Sequence, residues 1–323
     1  MAAVGNEGVA KQLTNKVRVG DWAFVATVTA AATITLLVTI GLFWELGVNA
    51  YPAFAHNGGL AFIWNLTWDP PREVFGAGTF IVGTLITSIA SLIVATIVAV
   101  LVAVYLVEIA PPYIARPIST AVELLAAVPS VVYGLWGVFV LGIFIRDTGG
   151  PAIVKTLGWI PLFNGVPLIT GMFSAVLILS VMILPTIMAV SRDVIAAVPR
   201  NQREGILAMG ATRWEMIQLT VLPYARSGVL GASILGLARA VGETLAVTLV
   251  IGNRVAIPTN IFAPGYTMAS AIANQFTEVE NNMHRASLLE VALVLLVITF
   301  IINAVARFLV WRVTGGVRVA VQE

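Results

Sequence analysis

The 323-residue sequence contains no cysteine. That absence removes disulfides, thiolate nucleophiles and cysteine-ligated metals together. Histidine is nearly missing too. His56 and His284 lie far apart in polar connections, where a solvent-facing role is expected. No metal centre and no catalytic constellation is expected from so few candidate ligands. Lysine occurs only as Lys11, Lys16 and Lys155, and none of these follows a glycine. A phosphate-binding P-loop needs Gly-Lys-Ser/Thr after a glycine-rich turn. Any ATP hydrolysis, with its magnesium, is therefore expected on a different polypeptide. Charge of either sign is scarce: 11% of residues are Asp, Glu, Lys or Arg, against about 25% in a soluble globular chain. A net charge of +2 gives no footprint for nucleic acid.

What remains is apolar. Hydrophobic residues make up 59% of the chain, and the mean hydropathy is +0.96. Runs long enough to span a bilayer, about 20 residues each, occur near 22–44, 79–107, 122–145, 168–190, 228–252 and 287–311. The expected fold class is an all-α polytopic membrane protein with six transmembrane helices. Its organisation is read as a cytoplasmic N-terminal segment (1–21), a six-helix transmembrane domain (22–311, core 79–311) and a cytoplasmic tail (312–323). The first run, "DWAFVATVTAAATITLLVTIGLFWEL", is too long for the apolar part of a cleaved signal.

Basic residues set the orientation. If the N-terminus is inside, Lys11, Lys16, Arg18, Arg116, Arg192, Arg200, Arg203, Arg213, Arg226, Arg307, Arg312 and Arg318 are cytoplasmic. Only Arg72, Arg146, Lys155, Arg254 and Arg285 face outward. That bias follows the positive-inside rule and places both termini in the cytoplasm. The outer connections are 45–78, 146–167 and 253–286. In the first, Trp64 and Trp68 read either as interfacial anchors or as a landing surface for a soluble partner. Glu290 and Arg307 are expected at the two interfaces with no role. No internal repeat is evident, and six helices are few for a lined pathway. A second membrane subunit is implied.

The longest cytoplasmic connection, 191–227, carries short helical pieces around Gly210-Ala211, with Pro223 expected to start the next span. Such a basic helix–turn–helix could lie on anionic lipid or fit a groove on a partner. Its stretch "EGILAMGATRWEMIQLTVLP" resembles the EAA loop of ABC-transporter permeases, through Glu204, Gly210 with Ala211, and Leu222-Pro223. Gly205 and Ile206 stand where two alanines are usual. Three further segments narrow the resemblance: "WDPPREVFGAGTFIVGTLITS" (68–88), "ELLAAVPSVVYGLWGVFVLG" (123–142) and "RAVGETLAVTLVIGN" (239–253). In this order they are similar to the PstC-type permease of the phosphate-specific ABC importer, one of the binding-protein-dependent inner-membrane components. The resemblance runs from about residue 20 to the C-terminus.

That resemblance implies a type I importer permease fold in the bacterial inner membrane, with loop 191–227 docked on an ATPase. The implied partners are a PstA-like permease, a PstB-like ATPase dimer and a PstS-like phosphate-binding protein outside. The implied cargo is phosphate. Another oxyanion, molybdate or sulfate, is the alternative, and a self-contained anion channel or carrier is a reading of a different kind.

Two places in the spans carry chemistry. Pro129 and Ser130 fall inside the third run; the break is read either as a plain proline kink or as pathway lining by Ser130 and neighbouring backbone. Arg239 and Glu243, four apart in the fifth run, are expected on one buried helix face beside Ala232 and Gly236. A charge at that depth costs about 2.5–3.5 kcal/mol on insertion scales. One reading is a structural ion pair. The other is a transient anion site in which the planar fork of Arg239 takes the oxyanion. Glu243 then orients the arginine and accepts from a P–OH. The family resemblance places its essential arginine and glutamate on these two positions.

Overall fold

The computed structural model describes residues 4–314, with side chains described over 21–312. The expected C-terminal tail falls mostly outside that range, as do the side chains of Lys11, Lys16, Arg18 and Arg318. The chain runs through α1 (Val4–His56), α2 (Ala61–Trp64), α3 (Gly78–Val104), α4 (Pro112–Ala126), α5 (Ser130–Trp136), α6 (Gly150–Leu157) and α7 (Met172–Ala196). It continues through α8 (Arg200–Ala208), α9 (Arg213–Met216), α10 (Leu222–Gly242), α11 (Leu245–Val250), α12 (Met268–Gln275) and α13 (Asn282–Thr314). Among the described residues six stretches are long and apolar enough to cross a membrane: Asp21–His56, Gly78–Ile109, Ser130–Leu157, Met172–Ala196, Arg213–Gly242 and Asn282–Arg312.

The number of spans matches the sequence reading, and two registers do not. The third span starts at Ser130 instead of near residue 122, because α4 is a separate helix that ends before Pro129. The fifth starts at Arg213 instead of near 228. Thr212 and Glu215 form a reciprocal capping box there, which satisfies two of the otherwise unpaired amides of a helix start. Pro223 therefore does not begin the span. It lies within a continuous helical path, just after a wide π-type turn over Ile217–Val221, a geometry that accommodates a residue lacking an N–H.

Helix α7 forms the centre. Its Ile178, Leu179, Ile183 and Ile187 are fully buried, and α3 and α10 pack along it. Ala95, Ala99 and Ala103 recur every four residues on α3 and are all buried in the same core. Small side chains let helices approach where the bilayer supplies no hydrophobic drive for them to associate. On α10 the same role falls to Ala232 and Gly236: a Cβ at Gly236 would lie 2.6 Å from Ile187 Cδ1. That stripe serves packing within the chain and leaves no room there for a solute. α1 touches the bundle mainly through α13 and shows most of its surface.

At the end of the bundle remote from α8 and α9, the connections build a second core from Phe62, Trp68, Phe75, Phe80 and Tyr266. Three expectations are corrected here. Trp68 is 8% exposed, with its ring edge-on to Phe75 and Phe80, so of the two tryptophans only Trp64 stays outside, at 81%. His284 is buried, not solvent-facing, and stacks on Phe75 at 5.8 Å. Glu290 is also buried and accepts from Asn57 Nδ2 at 2.9 Å, which ties α13 to the end of α1.

Candidate transport pathway and coupling surface

Two helix breaks abut inside the membrane-spanning region. The first is Ala127–Pro129. Pro129 cannot donate to the turn before it, so α4 stops and α5 begins at Ser130. This is a full termination and not a kink inside one helix. Tyr133 bridges the gap, its Oη donating to the Leu125 carbonyl at 2.7 Å, which also accepts from the Val128 amide at 3.2 Å in the closing turn of α4.

The second break is at Glu243-Thr244. α10 ends at Gly242, and Glu243 turns to extended backbone (φ −70°, ψ 124°). Glu243 Oε1 accepts from the Ala246 amide at 3.2 Å and so caps α11. Arg239 sits in the last turn of α10, where a cation offsets the partial negative charge of a helix C-terminus. Arg239 and Glu243 consequently do not share one continuous helix face, and no ion pair joins them among the described residues. Nor is the pair buried: in the isolated chain Arg239 is exposed and Glu243 half-buried. A glycine before an acidic residue and a threonine favours termination followed by capping over helix continuation, and that competition decides the geometry.

The breaks meet through glycine. A Cβ on Gly134 would lie 2.6 Å from Leu249 Cδ1 and 3.1 Å from Ala246 Cα. A Cβ on Gly137 would lie 2.7 Å from Val250 Cγ1. α5 and α11 thus pack almost backbone to backbone. Tyr133 comes within electrostatic range of Arg239. Ser130 is half-buried at the start of α5, and no hydrogen bond links it to Arg239 or Glu243 among the described residues. The result is a free-standing guanidinium and a half-buried carboxylate between the ends of discontinuous helices. Leu235, Leu245 and Leu249 are exposed beside them.

The coupling segment is built separately. Gly210 has φ +91° with nothing within 4 Å of its Cβ position, so glycine is required by backbone conformation and not by crowding. It turns α8 into Ala211 and the capping box of α9. Glu204 is exposed on α8, Leu222 is half-buried and Pro223 is exposed. Met209 (81%), Trp214 and Leu219 form an exposed apolar surface around them. Residues missed in the sequence anchor this unit. Arg203 donates to Glu108 Oε1 at 2.8 Å, to the Ile195 carbonyl at 2.8 Å and to the Val198 carbonyl at 2.5 Å. It thereby fixes α8 to the ends of the second and fourth spans.

With this geometry in hand, residues 110–315 match the profile of the binding-protein-dependent transport system inner membrane component. The chain belongs to that family. Curated relatives agree over nearly the whole length. The phosphate transport system permease protein PstC of Pasteurella multocida (strain Pm70) is 39% identical over 87% of this chain and 89% of its own. The protein of the same name from Mesorhizobium japonicum is 40% identical over 91% and 90%, and PstC 2 of Mycobacterium tuberculosis is 38% identical over 93% of each. Among solved structures, a bacterial alginate ABC transporter in complex with a periplasmic protein matches with a TM-score of 0.60 at 15% identity, covering 93% of this chain and 97% of that one. An inward-facing methionine transporter, MetNI, matches with a TM-score of 0.53 at 19% identity, covering 72% and 93%. At such identities these structures speak to the fold alone, and the fold is that of ABC importer permeases. A multi-pass inner-membrane protein is what the six spans and the family together describe.

Proposed function

We propose that this chain is a permease subunit of an ATP-driven phosphate importer and forms half of the translocation pathway. The observation that carries the reading is the agreement with curated phosphate permeases at 37–40% identity across about nine-tenths of both chains. Both termini and α8–α9 lie in the cytoplasm, where Glu204, Gly210, Ala211, Leu222, Pro223 and the exposed apolar side chains meet an ATPase dimer of PstB type. ATP and magnesium act there. A PstA-like permease covers the open face beside Arg239, and a PstS-like binding protein delivers phosphate from outside.

Within the pathway, Arg239 supplies the anion's counter-charge through a bidentate fork. Glu243 holds one oxygen on the Ala246 amide, which fixes the carboxylate and leaves the other oxygen to accept from a P–OH. Fully ionised sulfate has no such proton to offer. Ser130, at the start of the broken third span, contributes a hydroxyl to the same lining.

The test is uptake by the complete complex, reconstituted with labelled phosphate outside and ATP at the coupling side. Phosphate should enter, and excess sulfate or molybdate should leave the rate nearly unchanged. Strong inhibition by either would move the assignment to another oxyanion. Uptake by this chain alone, without ATP, would replace it with a self-contained carrier.

A further inference from the structure

The stretch Ala-Ala-Val-Pro occurs twice, at 126–129 and at 196–199. Both copies break a helix at the same point. α4 ends at Ala126 and α5 starts after Pro129; α7 ends at Ala196 and α8 starts after Pro199. Each break is clasped in the same register, by a side chain one turn beyond the proline reaching a carbonyl one turn before it. Tyr133 holds the Leu125 carbonyl in the first, and Arg203 holds the Ile195 carbonyl in the second. The clasps differ in reach. A phenol has a single proton to donate, and Tyr133 spends it on its carbonyl. The guanidinium has donors to spare. It also takes the Val198 carbonyl and, through Nε at 3.2 Å and Nη2 at 2.8 Å, one oxygen of Glu108. Glu108 belongs to the π-type turn (Tyr105–Ile109) that ends the second span. The second break is therefore a junction between spans, where the first is a local tie.

That junction decides what α8 moves with. No residue of α8 is fully buried, and only Arg203 and Ile206 on it are not exposed. Pro199 interrupts the backbone ladder between α7 and α8, so no continuous helix carries a push from one to the other. Side chains must carry it. Ile206 offers an apolar contact with the core, which is non-directional and free to slide. Arg203 and Glu108 are 16% and 7% exposed, and charge-assisted bonds so placed are directional and costly to break. The spans they join, α3 and α7, already pack together in one core through Ala95, Ala99 and Ile183. α9 has the opposite attachment. It runs unbroken into the fifth span, which carries Arg239 in its last turn. The coupling segment thus has two arms that meet at Gly210, one fixed to the second and fourth spans and one to the helix bearing Arg239.

We propose that Arg203 is a positioning residue for energy coupling. Its junction with Glu108, Ile195 and Val198 anchors α8 to the second and fourth spans, so that movement imposed on α8 and α9 by the ATPase displaces the fifth span against them and shifts Arg239. The inference rests on the importer reading. Without the junction, α8 follows the ATPase alone, the stroke is absorbed at the Pro199 break, and Arg239 stays where it was.

The experiment uses the complete reconstituted complex and measures phosphate taken up per ATP hydrolysed, alongside the unfolding temperature. Glu108→Leu with Arg203→Met strands no charge, so the complex should assemble, but neither new side chain can donate to the Ile195 and Val198 carbonyls. Hydrolysis should continue while uptake per ATP falls about fivefold or more, the size of a typical coupling between sites. Arg203→Lys keeps a cation for Glu108 but replaces the planar fork by a single nitrogen, too compact to hold the carboxylate and both carbonyls. It should unfold near the wild-type temperature and lose uptake per ATP by a smaller factor; if the double variant fails to assemble, this variant carries the test. A wild-type ratio of uptake to hydrolysis in either variant would overturn the proposal and leave the junction a structural tie. A wild-type complex that hydrolyses ATP without taking up phosphate would overturn the importer reading itself.

Discussion

Gly210 offers a perturbation whose size follows from one dihedral angle. Its φ of +91° lies in the left-handed region, which costs an L-residue roughly 1–2 kcal/mol and a β-branched one more. Nothing lies within 4 Å of the Cβ position, so Gly210→Val introduces no clash and acts through backbone preference alone. A penalty of that size shifts the population of the native turn by about 5–30-fold. Because the turn joins α8 to α9, the exposed Met209 and Trp214 would lose their fixed relation to each other. The spans are untouched, so membrane yield and the unfolding temperature of the complex should stay near wild type. The ATPase should co-purify weakly, or its hydrolysis should no longer respond to the binding protein. Gly205→Ala is the matched control: it lies inside α8 with open space around its Cβ, where alanine stabilises a helix by about 0.5–1 kcal/mol. Coupling should survive there. Tight co-purification with fully stimulated hydrolysis in Gly210→Val would refute the reasoning.

Three further outcomes follow from the packing. Glu108→Leu strands Arg203, whose partner is only 7% exposed; breaking a buried pair costs about 3–5 kcal/mol, to be read as a lower unfolding temperature, whereas Glu108→Leu with Arg203→Met should recover much of it. Trp68→Ala should cost about 3–5 kcal/mol, while Trp64→Ala at an exposed position should stay within roughly 0.5 kcal/mol; equal effects in a detergent melt would contradict the assigned burial. Tyr133→Phe deletes the hydroxyl bond to the Leu125 carbonyl across the first helix break, worth about 1 kcal/mol, and should slow uptake per assembled complex without lowering yield.

The six spans were legible because a bilayer demands long apolar runs, and composition alone reveals those. The coupling turn was legible because Gly210-Ala211 is a local signal; the Thr212–Glu215 cap is as local but was not read, and the start of the fifth span was missed with it. The helix breaks were legible only in part. Pro129 marked an interruption of the third run, but Ala126 to Val128 is as apolar as the spans around it, so hydropathy did not show that α4 is a separate helix ending there. Glu243 follows Arg239 by four residues, and that spacing implies a shared face only if the helix continues through Gly242. Its termination depends on Glu243 capping α11, a choice between two local hydrogen bonds that spacing does not reveal. Long-range burial was the least accessible. Arg203 and Glu108 are 95 residues apart, Trp68 and Gln275 are 207 apart, and polar residues such as His284 and Glu290 acquire their partners only when the bundle closes.

The central claim is that Arg239 and Glu243 act on the anion separately, at the end of a broken helix, and are not a structural pair. Phosphate uptake normalised to assembled complex tests it directly, in Arg239→Gln, in Glu243→Gln and in a double variant with both replaced by apolar residues. The complex should assemble in all three, because the two side chains share no ion pair and Arg239 is exposed on the isolated chain. Arg239→Gln and the double variant should abolish uptake. Glu243→Gln should retain the arginine but release phosphate slowly and discriminate poorly against sulfate. Uptake by the apolar double variant near the wild-type rate would contradict the account.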